Sequence, residues 1–323
     1  MSEGSRPIVF VSRQLPPHVE ARLTRDYEAR LNAEDALYDA DALIAGAQGA
    51  QALLVCPTDR VSAEVIEQLP DSIVAITTFS VGYDHVDVAA ATKRGITVTN
   101  TPDVLTNATA DMAMLLLLGA ARQARAGEAM VREATWTAWA PTGLLGTEVS
   151  GKRLGILGMG RIGRAVAQRA RGFDMEIHYQ DVVRSPDDED AGAHYHETVE
   201  SLLRVSSFLT VHCPLIPETR HLLNAERIAL LPDGAVLVNA ARGDIVDDEA
   251  LIAAVKSGKV AAIGLDVYEG EPNLNPGYRT LENSFLMPHL GSATVETRDA
   301  MGFTALDNLD AIFAGNTPPN KVN

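Results

Sequence analysis

The segment LGILGMGRIGRAVAQRA, residues 154–170, carries three glycines, Gly158, Gly160 and Gly163, in a GxGxxG spacing. An apolar run precedes them and an Ala-rich, helix-forming run follows. In this context the first glycine permits a tight turn, the second lets a pyrophosphate approach the backbone, and the third allows close packing of helix on strand. The helix N-terminus then offers unpaired N–H groups to the phosphates. The segment predicts a dinucleotide-binding domain.

A carboxylate follows the next predicted strand. MEIHYQD, residues 175–181, ends in Asp181, 18 residues after Gly163. A side chain at this position can accept hydrogen bonds from both hydroxyls of the adenosine ribose, and it repels a 2′-phosphate. The sequence therefore favours NAD(H). NADP(H) is not excluded, because Arg184 follows three residues later and could serve a phosphate.

Short apolar runs alternate with helix-forming runs along most of the chain, a pattern typical of parallel sheets covered by helices. The runs occupy residues 7–12, 51–57, 72–80 and 95–100, then 152–158, 175–181, 207–213, 235–241, 261–267 and 284–290. They predict two doubly wound α/β domains with parallel sheets, the larger a Rossmann domain, and an active site in the cleft between them.

The expected dinucleotide-binding domain covers residues 105–291, and the expected substrate-binding (catalytic) domain covers 1–104 and 292–323. Residues 105–133 predict one long helix, too apolar at its start for a surface helix and expected to pack between domains or subunits. The DDED stretch at 187–190 is interpreted as a solvated acidic loop.

Charge and cysteine content narrow the class of protein. The formal net charge is −16, which argues against binding to nucleic acid or to an anionic membrane surface. Cys56 and Cys213 lie far apart with no CxxC motif and are interpreted as reduced core thiols. The N-terminus lacks a signal-peptide pattern, and the longest apolar run, 112–121, is too short to span a bilayer. A cytoplasmic protein is expected.

Polar residues follow three successive strands of the second series. Arg242 follows VLVNAA (236–241), Glu271 lies in DVYEGEP (266–272), and His289 lies in FLMPHLGSAT (285–294). Ligands of a doubly wound sheet bind outside the carboxyl ends of its strands. Hydride transfer to a 2-oxo acid needs a cation for the carboxylate, an acid for the carbonyl oxygen and a partner that tunes that acid. Arg, His and Glu meet these needs.

Together these motifs resemble the NAD(P)-dependent D-2-hydroxyacid dehydrogenase family along nearly the whole chain. The resemblance rests on GMGRIG (158–163) with Asp181, NAARGDIVDDEAL (239–251), GLDVYEGEP (264–272) and MPHLGSAT (287–294). TTFSVGYDHVD (77–87) and TWTAWAP (135–141) are similar to the glycerate dehydrogenase (hydroxypyruvate reductase) and glyoxylate reductase branch. One departure is Asp111, where the family usually has Glu.

The resemblance implies a homodimer that reversibly transfers a hydride from NAD(P)H to hydroxypyruvate or glyoxylate. Arg242, Glu271 and His289 would form the catalytic trio. The backbone N–H groups of Val81 and Gly82, with Arg242, would bind the substrate, and Trp139 would reach the partner subunit's pocket. The implied cofactor contacts, with Asp266 on the nicotinamide carboxamide, are Thr109, Gly158, Gly160, Arg161, Ile162, Gly163, Asp181, His212, Cys213, Pro214, Ala240, Ala241, Asp266, Gly291 and Ser292.

Three further histidines and two related classes of protein offer alternative interpretations. His85, in GYDHVD, is a second candidate acid, but no strand end directs it to the nicotinamide, so a helix-start or core role is expected. His194 and His196 form an HxH pair without a suitably spaced carboxylate or Cys, so no metal site is predicted. Formate dehydrogenases carry Gln where Glu271 stands. A nucleotide-sensing corepressor on the same fold is the alternative function.

Overall fold

The computed structural model describes residues 6–185 and 192–323 and divides into two compact units. Unit 1 comprises residues 1–105 and 292–323, and unit 2 comprises residues 106–291. The DDED stretch at 187–190 and the first five residues lie outside the described part of the chain.

Unit 1 is a sheet with helices between its strands. Its strands are β1 (Ile8–Val11), β2 (Glu28–Arg30), β3 (Ala52–Val55), β4 (Ala75–Thr78) and β5 (Thr97–Thr99), and its helices are α1 (Pro17–Asp26), α2 (Ala40–Gly46), α3 (Ala63–Gln68), α4 (Val88–Lys93) and α11 (Val295–Phe313). The strands pair in parallel in the order β2-β1-β3-β4-β5. The four predicted strands are present, and β2 is an additional edge strand.

Unit 2 contains the larger sheet. Its strands are β6 (Arg153–Leu157), β7 (Glu176–Gln180), β8 (Ala193–Tyr195), β9 (Phe208–Val211), β10 (Ala235–Asn239), β11 (Val260–Leu265) and β12 (Ser284–Leu286), and its helices are α5 (Thr106–Ala121), α6 (Ala124–Arg132), α7 (Arg161–Arg171), α8 (Val199–Leu203), α9 (Ala225–Ile228) and α10 (Asp248–Lys256). The order is β12-β11-β10-β9-β6-β7-β8, with parallel pairing throughout. The predicted doubly wound fold is confirmed, with β8 as a seventh strand.

The central strand β10 shows why the sheet is covered on both faces. All five of its residues are buried. Val236 and Val238 belong to the apolar cluster that includes side chains of α5 and α7. Leu237 points to the opposite cluster, which contains Leu251 of α10. A parallel strand that is buried on both faces reads as a continuous apolar run, which is how it was recognised in the sequence.

The prediction of a single helix over 105–133 was wrong. Helix α5 ends at Ala121 and α6 begins at Ala124, because Gln123 between them has a left-handed backbone with φ +50°. The chain that returns from α6 caps the end of α5: the Thr147 N–H donates to the Ala121 carbonyl (2.8 Å), and Gln123 Nε2 donates to the Leu145 carbonyl (2.6 Å). Helix α5 packs on α7, β10 and β11 of its own unit.

Among the described residues, no helix is both long enough and apolar enough to cross a membrane.

Candidate active site

The glycine loop between β6 and α7 has room on one side and none on the other. Gly158 has φ +93°, and a Cβ there would lie 2.6 Å from the backbone nitrogen of Cys213. A Cβ at Gly163 would lie 2.1 Å from the Gly158 carbonyl oxygen, so α7 packs directly on the loop. Gly160 is exposed, with no atom within 4 Å of a Cβ position. A pyrophosphate can approach the backbone on this open side, at the start of an 11-residue helix.

Asp181 lies beside the glycine loop. It follows β7 directly, and its Oδ2 accepts a hydrogen bond from the Met159 N–H (2.7 Å). Its Oδ1 accepts from the N–H of Val182 (2.7 Å). The carboxylate is only half-buried and keeps unused lone pairs for further donors. The unused acceptor positions of Asp181 and the open side of the glycine loop therefore fit a dinucleotide with its ribose at the end of β7.

The segment after β9 completes this edge of the sheet. The His212 N–H donates to the Leu157 carbonyl (2.7 Å), which aligns the backbone of residues 212–213 with the glycine loop. Burial lowers the pKa of His212 to about 4, so the ring is neutral near pH 7. Burial raises the pKa of Cys213 to about 12, and that of Cys56 likewise. Both cysteines are free, and the raised pKa keeps each a protonated thiol near pH 7. Each residue as a whole is half-buried.

One buried carboxylate organises the chain around His289. Asp266 follows β11 and is almost completely inaccessible. Its carbonyl oxygen accepts from the His289 N–H (2.8 Å), its Oδ1 from the Leu290 N–H (2.6 Å) and its Oδ2 from the Gly291 N–H (2.7 Å). Residues 289–291, here called the histidine turn, are thus held by a single residue. Burial raises the pKa of Asp266, and the bonds from Leu290 and Gly291 oppose that rise.

The histidine turn presents its imidazole to a carboxylate. His289 has a left-handed backbone with φ +56°, a conformation that costs energy for a residue other than glycine. Its Nδ1 contacts Glu271 Oε1 in a short hydrogen bond. Glu271 Oε2 accepts from the Tyr268 N–H (3.2 Å), which holds the carboxylate against its own loop. With Nδ1 engaged, Nε2 is the ring atom available to a substrate.

The side chain of Asn239 positions Arg242, a role that no local sequence pattern indicates. Asn239, the last residue of β10, is buried; its Nδ2 donates to the Arg242 carbonyl (2.8 Å) and its Oδ1 accepts from the Ala241 N–H (3.0 Å). Arg242 is half-buried. A Cβ at Gly243 would lie 1.9 Å from the carbonyl carbon of Tyr268. The turn after β10 therefore packs directly on the backbone of the Glu271 loop.

The other residues predicted to bind substrate or cofactor lie near Gly291, in unit 1, beside the glycine loop or just before Arg242. Thr109 lies near Gly291, where a Cβ added to the glycine would be 3.5 Å from Thr109 Cγ2. Val81 and Gly82 follow β4 of unit 1, and Ser292 is the first residue of the second segment of that unit. The remaining cofactor candidates flank the glycine loop and Arg242; they are Arg161 and Ile162 in the first turn of α7, Pro214 after Cys213, and Ala240 and Ala241 after β10.

His194 and His196 meet a third histidine that the sequence did not reveal. His178 Nδ1 lies 2.9 Å from His196 Nε2, and its ring stacks on that of His194. Desolvation lowers the pKa values of His178 and His196. No group of His, Cys, Asp or Glu side chains among the described residues has the geometry to hold a metal ion.

Comparison with known proteins identifies the family. Residues 114–291 match the family model of the D-isomer specific 2-hydroxyacid dehydrogenase, NAD binding domain. The chain is 43% identical over 313 residues to the glycerate dehydrogenase of Hyphomicrobium methylovorum, covering 96% of this chain and 97% of that protein. It is 42% identical over 323 residues to the glyoxylate reductase of Thermococcus litoralis, covering 98% and 97%. The chain belongs to the D-isomer specific 2-hydroxyacid dehydrogenase family.

A solved member of the family has the same fold. The NADPH-dependent glyoxylate/hydroxypyruvate reductase of Sinorhizobium meliloti, solved in complex with NADP and malonate, matches with a TM-score of 0.88 and 34% identity, covering 98% of this chain and 97% of that chain. The prediction of a nicotinamide-dependent dehydrogenase is therefore confirmed. The described residues and these relatives offer no support for the corepressor-like alternative.

The anchoring role of Asp266 can be tested with Asp266→Asn. The amide keeps the size of the carboxylate, but its NH₂ group must face one of the two N–H groups of Leu290 and Gly291. Loss of a hydrogen bond to a charged group costs about 1.5–3 kcal/mol, so we expect kcat/KM to fall at least about tenfold, with a smaller change in NADH affinity. Steady-state kinetics and NADH titration measure this. The matched control is Asp233→Asn, an exposed carboxylate paired with Lys259; equal effects in both variants would contradict the anchoring role.

Proposed function

We propose that this enzyme reduces hydroxypyruvate or glyoxylate to the D-2-hydroxy acid, reversibly, with Arg242, Glu271 and His289 as its catalytic residues. The observation that carries the proposal is the contact between His289 Nδ1 and Glu271 Oε1 in a chain whose relatives include a glycerate dehydrogenase and glyoxylate reductases. When bound, the reduced nicotinamide supplies the hydride to the carbonyl carbon.

His289 delivers the proton that reduction consumes. The Nδ1–H group of a protonated imidazole donates to Glu271, so the proton on Nε2 faces the carbonyl oxygen of the substrate. In the oxidative direction the neutral ring accepts that proton from the hydroxyl. The Glu271 carboxylate lies against Nδ1, where its charge is opposite to that of the imidazolium from which the proton leaves.

Arg242 binds the substrate through a planar fork of N–H donors that can engage a carboxylate and the neighbouring carbonyl oxygen together. The molecule carries a net charge of −16, so an anionic substrate is repelled at long range and needs such a local cation. The backbone N–H groups of Val81 and Gly82 are proposed as the second set of carboxylate donors.

Asp181 is proposed to select NAD(H). Its carboxylate lies at the end of β7 beside the glycine loop, where it would accept from ribose hydroxyls and repel a 2′-phosphate. Arg184 is exposed three residues further on and could attract that phosphate. The Sinorhizobium meliloti relative is NADPH-dependent, so both cofactors belong in the test.

The first test compares hydroxypyruvate, glyoxylate and pyruvate, each with NADH and NADPH, by absorbance at the nicotinamide band. We expect the first two acids to be preferred over pyruvate and NADH over NADPH. In Asp181→Ala the NADH/NADPH ratio of kcat/KM should fall at least about tenfold, or ~1.4 kcal/mol. An unchanged ratio would mean that the adenosine end is recognised elsewhere. Absence of reduction of either preferred acid by the wild-type enzyme would overturn the proposed function.

The second test follows the pH dependence of oxo-acid reduction. Reduction needs protonated His289 and should decline as the pH rises, whereas oxidation should increase over the same range. Glu271→Gln removes the charge but keeps the size, so the decline should begin at lower pH. His289→Ala should remove the decline together with most of the activity, about 10²–10⁴-fold.

The matched control for this test is Glu269→Gln. It makes the same change of charge on the same loop, but Glu269 pairs with His221 rather than with His289. If the decline of reduction moves equally in both variants, the net charge of the loop accounts for the shift. If it stays in place in Glu271→Gln, the carboxylate does not tune the acid.

The proposed homodimer rests on an exposed apolar segment. Residues 131–146, here called the arm, are exposed throughout and include Trp136, Trp139 (81% exposed), Leu144 and Leu145. Such a concentration of large apolar side chains marks an interaction surface. We expect sedimentation to show a dimer, and Trp139→Ala to raise the KM for the oxo acid if this ring reaches the partner's substrate. A folded, fully active monomer would contradict both statements.

A further inference from the structure

We propose that a chain of side-chain hydrogen bonds running from His85 through Thr78 and Ser80 holds the loop of residues 80–83 in its carboxylate-binding conformation. His85 is then a positioning residue for substrate binding and takes no part in proton transfer. This inference rests on the proposed role of the Val81 and Gly82 N–H groups. The loop of residues 80–83 is called the carboxylate loop below.

Three consecutive peptide groups of this loop are pinned by their carbonyl oxygens. The Ser80 carbonyl accepts from the Thr101 N–H (2.9 Å), the Val81 carbonyl from Asn100 Nδ2 (2.8 Å), and the Gly82 carbonyl from Ser80 Oγ (2.6 Å). All three peptide bonds are trans. In a planar trans peptide the N–H points opposite to the C=O. Each hydrogen-bonded carbonyl therefore directs the N–H of the following residue away from the group that donates to the carbonyl.

The pinned carbonyls leave two neighbouring N–H groups available. Within the described ranges 6–185 and 192–323, the N–H groups of Val81 and Gly82 have no hydrogen-bond acceptor. Both residues are half-buried, so the groups are reachable. Adjacent backbone N–H groups with fixed directions form an anion-binding concavity. The bonds to the Ser80 and Val81 carbonyls fix these two N–H directions, and the bond from Ser80 Oγ to the Gly82 carbonyl closes the loop beside them, so that the whole loop keeps its carboxylate-binding conformation.

Each hydrogen bond of the chain has a fixed donor. A carbonyl can only accept, so the single hydroxyl hydrogen of Ser80 is committed to Gly82. Ser80 Oγ must therefore accept in its 2.7 Å contact with Thr78 Oγ1, which commits the Thr78 hydrogen. Thr78 Oγ1 must in turn accept in its 2.8 Å contact with His85 Nε2. His85 Nε2 consequently carries a proton and donates it along the whole chain.

The structure holds both ends of this chain in place. Thr78 is the last residue of β4 and is completely buried, as is most of Ser80. The His85 carbonyl accepts from the Val61 N–H (2.9 Å), and Val61 and Val86 form a parallel bridge. His85 is therefore tied to the segment before α3, so its ring supports the carboxylate loop from a fixed base.

Nε2 carries a proton in the neutral Nε2–H tautomer and in the imidazolium. The hydrogen-bond chain therefore needs a donor at this position but no charge. A proton-transfer role for His85 would instead need the ring to gain and lose a proton. Glutamine can also donate at this position, whereas leucine is of similar size and cannot. Thr78→Val removes the next link without changing the shape of the side chain.

The experiment measures the inhibition constant of oxamate, a non-reacting 2-oxo acid analogue, and the KM of hydroxypyruvate in four variants: His85→Leu, His85→Gln, Thr78→Val and the double variant His85→Leu/Thr78→Val. We expect both constants to rise at least about tenfold in His85→Leu and in Thr78→Val, and less than about threefold in His85→Gln. NADH affinity should stay within about twofold of wild type, and kcat should change less than KM. Circular dichroism checks the fold of each variant.

Two further readouts distinguish positioning from a general loss of structure. Because His85 and Thr78 belong to one chain, the double variant should be no worse than either single variant. The pH at which reduction declines, assigned to His289, should be unchanged in His85→Gln. If His85→Leu does not fold, the isosteric Thr78→Val variant carries the same test.

The inference is overturned if oxamate binds His85→Leu and Thr78→Val as it binds the wild type, if the effects of the two variants add fully, or if the loss falls equally on NADH affinity. A wild-type enzyme that binds oxamate and reduces hydroxypyruvate, combined with any of these results, rejects the chain alone. A wild-type enzyme that does neither rejects the proposed function, and this inference with it.

Discussion

Parallel pairing of β10, β11 and β12 is the constraint on which the candidate site depends. Asn239, Leu265 and Leu286 are register partners across the three strands, so the strands end in one row. The segments that leave this row carry Arg242, Glu271 and His289. β10 is completely buried and β11 almost so, and their pairing is regular from Val236 to Asn239, so a shift of register near the strand ends would cost both hydrogen bonds and apolar packing. The three candidate catalytic residues therefore take their alignment from the core of unit 2.

Buried polar side chains fix the conformation of the turns that follow these strand ends. Asn239 and Asp266 occupy the ends of neighbouring strands, and each uses its side chain to satisfy backbone groups of the turn that follows or faces it. Unpaired N–H and C=O groups would be costly at this depth. The same bonds that satisfy those groups orient Arg242 and hold His289 in its left-handed conformation. The same hydrogen bonds thus stabilise the strand ends and set the geometry of the candidate catalytic side chains.

Features encoded in a short window were predictable from the sequence. The glycine loop, Asp181 and the polar residues after apolar strands are each defined by spacing within a few residues, and the structure brings Glu271 and His289 into contact as that pattern implied. The edge strands β2 and β8 were missed because short, half-exposed strands carry no apolar run. The break after α5 was missed because its cap comes from residues 145–147, more than 20 positions later along the chain.

Contacts between side chains and segments far apart in the sequence could not be predicted from it either. Asp266 bonds the histidine turn 23 to 25 residues away, a distance along the chain that no local pattern records. His85 was interpreted as a helix-start or core residue because no strand end directs it to the nicotinamide. Its bond to Thr78 depends on the fold of the loop between them, which only the three-dimensional structure reveals.

The cap that ends α5 also closes a ring in the chain. The chain leaves α5 through Gln123 and returns to the same helix end through Leu145 and Thr147. The excursion formed by α6 and the arm therefore begins and ends at the C-terminus of α5. Changing the length of such a closed excursion alters its closure entropy only slowly, by about 0.6 kcal/mol per doubling. Descendants of this chain can therefore lengthen, shorten or change the surface of the arm while the strand ends of the candidate site stay in register.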